Sequence, residues 1–316
     1  MRKLSFVIPC YRSEHTIAGV VQEIIETVET RAEYTYEIIL VSDHSPDNVF
    51  HVIKQLGKEN PNVKGIELTK NFGQHSGLMA GYRECTGDIV ISMDDDGQTP
   101  ANELFALVDQ IDKGYDVIYA SYPSIRQNSF RVWASHVNSF MMEKLLGKPS
   151  NLETSSYFAC KDYIIAEIIR YQNAFPYISG LVLRTTNSIS NVPVRHRERA
   201  KGTSGYNIKK LFSLWMNGFT AFSVKPLRIA TVTGMFCAVA GFAYGLYTVI
   251  NRLIHPAISA GWSSTMAVLL FIGGMIMLIL GLVGEYIGRI YICINNSPQY
   301  VIRETANLNK EQEVKE

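Results

Sequence analysis

Between positions 229 and 250, and again between 263 and 284, this chain of 316 residues carries no charged side chain. Each run is about the 20 residues that a helix needs to cross the hydrocarbon core of a bilayer. Backbone polar groups in lipid must be paired within their own segment, so a spanning run has to be helical. A buried helical hairpin of a soluble domain is the alternative, and two adjacent uncharged runs of this length weigh against it. Tyr244, Tyr247 and Trp262 stand near the expected outer interface, where aromatic rings anchor.

The flanks set the expected orientation. Lys209, Lys210, Lys225 and Arg228 precede the first run and Arg289 and Arg303 follow the second, whereas the loop between them holds only Arg252 and His255. Positive residues stay inside, which puts both termini in the cytoplasm. Residues 1–6 offer no apolar stretch for a signal peptide. The expected layout is a cytoplasmic domain over 1–206, an amphipathic juxtamembrane helix over 207–226 and spans over 227–251 and 263–285. A short outer loop over 252–262 joins the spans, and a polar, loose tail closes a cytoplasmic segment over 286–316. Glycines 273, 274, 281, 284 and 288 offer small-residue faces for self-association, so a homo-oligomer is a further expectation.

A net charge of +1 averages a polar region with a greasy one and gives no reason to expect a nucleic-acid partner. Cys10, Cys85, Cys160, Cys237 and Cys293 form no C-x-x-C pair, which fits a reducing compartment without a zinc or disulfide framework. The polar region is long enough to bury one core of its own. Within it, strand patterns over 4–8, 37–41, 63–68, 88–93 and 116–120 alternate with helical patterns over 14–30, 47–57, 74–84 and 102–113. Such alternation predicts an α/β fold with a mostly parallel, doubly wound sheet flanked by helices.

Asp94, Asp95 and Asp96 close the fourth strand pattern. Like charges so close raise one another's pKa unless a cation or a set of donors compensates them, and a divalent metal is the plainest compensation. Gly97 and Gln98 turn the chain and Thr99-Pro100 starts a helix, which places the carboxylates at the carboxyl end of a strand, where open α/β sheets bind ligands. Metal at a sheet edge points to a nucleotide diphosphate. The simpler alternative is an acidic turn capping a helix. Polar residues also gather after the first strand, from Pro9 to Glu14, and after the second, from Ser42 to Asp47; Ser13 and Ser45 read as helix caps and Asp47 as a first-turn acid. Asp43 sits at a strand tip and shares a crevice with the triplet.

Together these strings resemble the family 2 inverting glycosyltransferases, in the branch of membrane-anchored polyprenyl-phosphate sugar transferases related to dolichyl-phosphate mannose synthase. The resemblance rests on Pro9-Cys10-Tyr11-Arg12-Ser13-Glu14, Val41-Ser42-Asp43-His44-Ser45-Pro46-Asp47, Asn71-Phe72-Gly73-Gln74-His75-Ser76 and Asp94-Asp95-Asp96-Gly97-Gln98. It continues through His196, Arg199, Gly202, Ser204 and Tyr206 and ends with Gly284-Glu285-Tyr286-Ile287-Gly288-Arg289-Ile290-Tyr291. It implies a GT-A-like fold, a nucleotide-sugar donor and a polyprenyl phosphate acceptor. Pro9, Tyr11, Glu14 and Asp43, with Asp94 and Asp95, would line the nucleoside pocket, and Asp94, Asp96 and Gln98 would organise Mg²⁺ or Mn²⁺ on the diphosphate. Asp95 departs from the small residue usual there, and Gly97 from the usual leucine.

The resemblance further implies that a basic loop closes over the diphosphate, with Arg199, Lys201, Ser204 and Tyr206 as its contacts and Arg199 among the catalytic groups. Gly205 stands where many relatives carry a basic residue, and Lys201 is the substitute within reach along the chain. A solvated basic stretch beside anionic headgroups is the other reading of residues 195–201. On the acceptor side, Arg126, Arg131 and Ser135 lie in a segment that mixes basic and large apolar residues, as at a membrane surface. The last two, four residues apart, match an arginine and a serine that relatives use for the lipid phosphate. An ordinary amphipathic helix explains the same pattern. In the region where some relatives carry a proposed basic aspartate, here Leu152 to Ser156, only Glu153 is acidic, and it takes no assigned role.

Three alternatives stand beside this reading. A processive polysaccharide synthase would show Gln-x-x-Arg-Trp, yet none of Trp133, Trp215 and Trp262 follows an arginine. A transferase acting directly on a glycan or protein has less use for two terminal spans. A non-catalytic nucleotide-sugar-binding scaffold would have no need of Asp94 and Asp96.

Overall fold

Leu4, Phe6 and Ile8 on one face and Val7 on the other are fully buried, the two-sided burial that a central parallel strand requires. They belong to β1 (Arg2–Cys10), and the elements that follow are α1 (Ile17–Glu29), β2 (Tyr34–Ser42), α2 (Val49–Glu59), β3 (Val63–Leu68) and α3 (Gln74–Tyr82). Next come β4 (Ile89–Ser92), α4 (Leu104–Asp112), β5 (Val117–Ser121), β6 (Phe158–Lys161), α5 (Asp162–Ile168), α6 (Ile178–Thr185) and β7 (Ile189–Pro193). Two long helices, α7 (Lys225–Ile254) and α8 (Trp262–Ile294), precede a last strand, β8 (Ile302–Ala306). The computed structural model describes residues 1–122, 143, 147–195, 225–254, 261–295 and 297–308.

The strands form one sheet in the order β7-β5-β6-β4-β1-β2-β3-β8. The β1–β2, β1–β4, β2–β3 and β5–β7 pairs are parallel, while β6 runs antiparallel between β4 and β5, and β8 antiparallel to β3. The mostly parallel, helix-flanked sheet expected from the sequence is present, with its five anticipated strands in place. Strands β6, β7 and β8 were not anticipated. Chain order reverses at β1, since β2 and β3 lie on one side of it and β4 on the other. A crevice therefore opens outside the carboxyl ends of β1 and β4, the position at which open α/β sheets bind ligands.

Helix α3 lies close against β1 and β2. A Cβ added at Gly81 would collide with Cγ1 of Val7 and come within 3.2 Å of Cγ2 of Val41. Gly81→Ala is therefore expected to cost about 1–3 kcal/mol by overpacking, read as a lower thermal midpoint of the full chain in detergent. Beneath the same helix lies a buried charge. Glu37 on β2 is 1% exposed, and its carboxylate accepts from Ser5 Oγ at 2.6 Å, Lys3 Nζ at 2.9 Å, Lys64 Nζ at 2.9 Å and the Thr86 amide at 2.6 Å. Burial alone would raise its pKa, but these donors outweigh it and hold the group down to about 2.

The tail expected over 286–316, loose from residue 306 on, carries regular structure before that point. Helix α8 continues to Ile294, and β8 extends the sheet beyond β3. Lys54 pairs with Glu304 at 2.8 Å, and Asn307 donates to the carbonyls of Pro61 and Val63 at 2.9 and 2.8 Å. Buried Gln299 donates to the carbonyls of Tyr171 and Asn173 at 3.2 and 2.9 Å. Residues 309–316 lie outside the described residues.

Helices α7 and α8 form a unit separate from the sheet. Their 30 and 33 residues give lengths of about 45 and 50 Å at the usual rise, enough to cross a bilayer. The windows Ala230–Tyr247 and Phe271–Ile294 are apolar with no part buried in protein, and Phe236, Phe242 and Met277 are about three-quarters exposed. The expected juxtamembrane helix lies outside the described residues except for Lys225 and Pro226, which open α7.

Candidate active site

The loops that follow β1 and β2 at the crevice are laced together. Arg12 donates its amide to Ser45 Oγ at 2.7 Å, Glu14 its amide to Asp47 Oδ2 at 3.0 Å, and Asn48 its amide to Glu14 Oε2 at 2.9 Å. Ser13 and Ser45 are not the helix caps expected. The N-cap positions are Thr16 and Asn48, neither with a side-chain capping bond, and Ser45 serves the inter-loop network instead. Arg12 and His44 hold φ of 60° and 49°, a left-handed conformation that side chains seldom adopt and that collects at functional loops. Pro9 is buried beyond the last β1–β4 pair, Val7–Ser92, where its missing N–H breaks no ladder bond to β4. Tyr11 stands 45% exposed at the strand tip, a ring face available to a flat ligand.

Asp43, 4% exposed at the end of β2, fixes the turn after β3. Its Oδ1 accepts from the Phe72 amide at 2.7 Å and its Oδ2 from the Gly73 amide at 2.8 Å. Burial raises its pKa against the effect of those two donors. Gly73 has φ of 92°, a conformation open to glycine, and so delivers its amide to Asp43 while starting α3. The sequence placed Asp43 in the ligand crevice; its part in building the crevice wall was not legible there.

The three aspartates do different things. Asp94 accepts from Gln74 Nε2 at 3.0 Å on one oxygen and from Ser156 Oγ on the other. Asp95 accepts from the Tyr11 amide at 2.8 Å, and its carbonyl accepts from Thr16 Oγ1 at 2.7 Å, so it ties the β4 loop to the β1 loop. Burial raises the Asp95 carboxyl to about 6, with the charge on Asp94 adding to the effect. Asp96 accepts from the Gln98 amide at 3.0 Å across the turn at Gly97, whose φ is 74°. Tyr122, just past the end of β5, has its pKa pushed up to about 12, first by burial and then by the charges of Asp94 and Asp96.

Asp94, Asp96 and Gln98 offer hard oxygen donors of the kind Mg²⁺ and Mn²⁺ take. Among the described residues no three His, Cys, Asp or Glu side chains converge as a self-sufficient metal site. The donor set fits an ion that draws its remaining ligands from a bound diphosphate and water.

Sequence reasoning missed two groups at this site. Gln74 appeared as part of a motif without a role, and Ser156 as the edge of a region searched for a base. The signal for Ser156 is the register of β6: Ser92 pairs with Phe158 antiparallel, so counting two residues on each strand sets Asp94 opposite Ser156. Glu153 lies three residues further along, where Asn191 holds its amide and carbonyl at 2.9 and 2.7 Å. Arg199, Lys201, Ser204 and Tyr206 of the basic loop, and Arg126, Arg131 and Ser135 of the acceptor segment, lie outside the described residues.

With this geometry in view, the likenesses to known proteins agree. Residues 5–169 match the model of Glycosyl transferase family 2, and residues 225–290 that of the GtrB C-terminal hairpin. The undecaprenyl-phosphate 4-deoxy-4-formamido-L-arabinose transferase of Proteus mirabilis is 33% identical over 313 residues, covering 98% of this chain and 96% of that protein. Its counterpart from Photorhabdus laumondii is 31% identical over the same shares. Among solved structures, glucosyl-3-phosphoglycerate synthase from Mycobacterium tuberculosis, in complex with Mn²⁺ and uridine-diphosphate-glucose, superposes with a TM-score of 0.54. It is 16% identical and covers 69% of this chain and 77% of that one, which speaks for the fold. Asp43 and the Asp94–Asp96 loop at the switch point of the sheet, in a chain that the two transferases match over 98% of its length, identify the protein as a member of glycosyl transferase family 2.

Proposed function

We propose that the protein transfers a sugar from a UDP- or dTDP-sugar to a polyprenyl phosphate such as undecaprenyl phosphate, with inversion, at the cytoplasmic face of the inner membrane. The observation that carries this reading is the end-to-end similarity to undecaprenyl-phosphate sugar transferases in a chain whose crevice keeps the acids such a donor needs. Tyr11 offers a face to the base, and Asp43, Glu14 and Pro9 shape the nucleoside pocket around it. Asp94, Asp96 and Gln98 would hold a divalent cation, Mg²⁺ or Mn²⁺, and what that cation supplies is neutralisation of charge on the departing nucleoside diphosphate. Arg199, Lys201, Ser204 and Tyr206 are the groups proposed to close on the same diphosphate, forked guanidinium suiting phosphate oxygens.

A lipid monophosphate has a second pKa of about 6 and is largely dianionic near neutral pH, so it attacks the anomeric carbon with little need of a general base. No carboxylate is therefore assigned as base, and Glu153, whose backbone is bonded to Asn191, keeps no role in the step. Arg126, Arg131 and Ser135 are the proposed phosphate contacts on the acceptor side. The charged flanks of α7 and α8 support placing the sheet domain and both termini in the cytoplasm.

The test is to incubate the detergent-purified chain with undecaprenyl phosphate, Mg²⁺ or Mn²⁺ and a panel of UDP- and dTDP-sugars, following the lipid fraction by mass spectrometry. One donor should yield a lipid of the acceptor's mass plus one sugar residue. Donor breakdown to free sugar, with no lipid product from any donor, would overturn the reading.

A further inference from the structure

We propose that Gln74 and Ser156 are positioning residues that lock the Asp94 carboxylate in the orientation from which it serves the donor's diphosphate and its cation. The inference rests on the function proposed above. Both Asp94 oxygens are held: Oδ1 by Gln74 Nε2 at 3.0 Å and Oδ2 by the Ser156 hydroxyl. Each oxygen of a carboxylate accepts along its lone-pair directions, so a donor on each of the two oxygens fixes the plane of the group.

The chemical type of the two donors supports this role. A lysine or arginine at either place would compensate the charge of Asp94 and compete with a cation for it. A neutral amide and a neutral hydroxyl orient the group without themselves neutralising it, as outer partners of metal ligands do. The two donors also come from separate walls of the crevice. Gln74 is the first residue of α3, next to Gly73, whose amide is fixed by Asp43 at 2.8 Å, so the Asp43 and Asp94 carboxylates are linked through one rigid turn. Ser156 is placed by the antiparallel register of β6 on β4, at the end of the stretch that leads from the segment proposed to meet the acceptor. Both side chains are exposed at the crevice, so neither is needed to fill the core.

The experiment measures Mn²⁺ binding to the full chain in detergent with UDP present, from the electron paramagnetic resonance signal of free Mn²⁺, beside the Mn²⁺ dependence of sugar transfer. Ser156→Ala and Gln74→Ala are each expected to weaken Mn²⁺ binding about tenfold, with turnover recovering toward wild type as Mn²⁺ is raised. Ser156→Thr, which keeps a hydroxyl, should bind Mn²⁺ within about twofold of wild type. Thermal midpoints should match across the set. Unchanged Mn²⁺ affinity in both alanine variants would overturn the proposal, as would equal loss in Ser156→Thr. Failure of the underlying functional reading looks different, with wild-type protein that neither binds Mn²⁺ with UDP nor consumes any donor, and it removes the proposal as well.

Discussion

Asp96→Asn is expected to lower sugar transfer about a thousandfold while leaving the fold intact, a loss of the size seen when one preorganised electrostatic contact to a developing charge is removed. Asparagine keeps the side-chain oxygen that accepts from the Gln98 amide at 3.0 Å, so the turn at Gly97 survives. What disappears is the negative charge. The comparison is an initial-rate assay at saturating donor, acceptor and metal, beside a thermal melt of the same preparations. A variant with near wild-type rates would remove Asp96 from the chemistry. A variant that had lost its melting transition would assign the residue to stability instead.

The second large effect belongs to Glu37, far from any role in binding. Glu37→Ala should destabilise the sheet domain by about 1–3 kcal/mol, because it leaves the buried Ser5 hydroxyl without its acceptor and the part-exposed Lys3 and Lys64 without their charge partner. Lys3, Lys64, Ser5 and the Thr86 amide would all lose their acceptor at once. The native carboxyl titrates at about 2, below its ordinary value of 4.5, so the folded state binds this proton less readily than the unfolded one. The stabilisation is therefore complete above about pH 4.5 and drains away as pH falls toward 2. Because Tyr82, Tyr119 and Tyr157 are fully buried in this domain, near-ultraviolet circular dichroism reports its opening on heating at acid as at neutral pH. The midpoint of wild type should fall through that acid window, and the variant, already low, should fall less.

The parts of the fold legible in the sequence are those whose residues carry a one-dimensional pattern. The central strands are buried on both faces, so the runs at 4–8, 37–41 and 89–92 announce themselves as apolar. The strands that went unseen lack such runs. β6 has four residues; β7 includes Ser190, Asn191 and Pro193 and is only partly buried; β8, with Arg303, Glu304 and Thr305, is largely exposed. β7 and β8 pair at the two sheet edges, where backbone bonds leave little trace in side-chain polarity, while β6 is internal but too short to show a pattern. The same limit applied to the site. Three consecutive acids are visible to any reader, but their division of labour depends on which loop lies opposite each one. Asp95 meets the Tyr11 amide, Asp94 meets Gln74 at the start of α3, and it meets Ser156 because β6 runs antiparallel beside β4.

The central claim is transfer to a polyprenyl phosphate, and its most direct test is the release of nucleoside diphosphate from the active donor with and without undecaprenyl phosphate. The account predicts release that rises with the lipid, matches the lipid-linked sugar formed mole for mole, and vanishes in Asp96→Asn. Release at the same rate without lipid, or transfer to a water-soluble glycan or peptide in its absence, would contradict it.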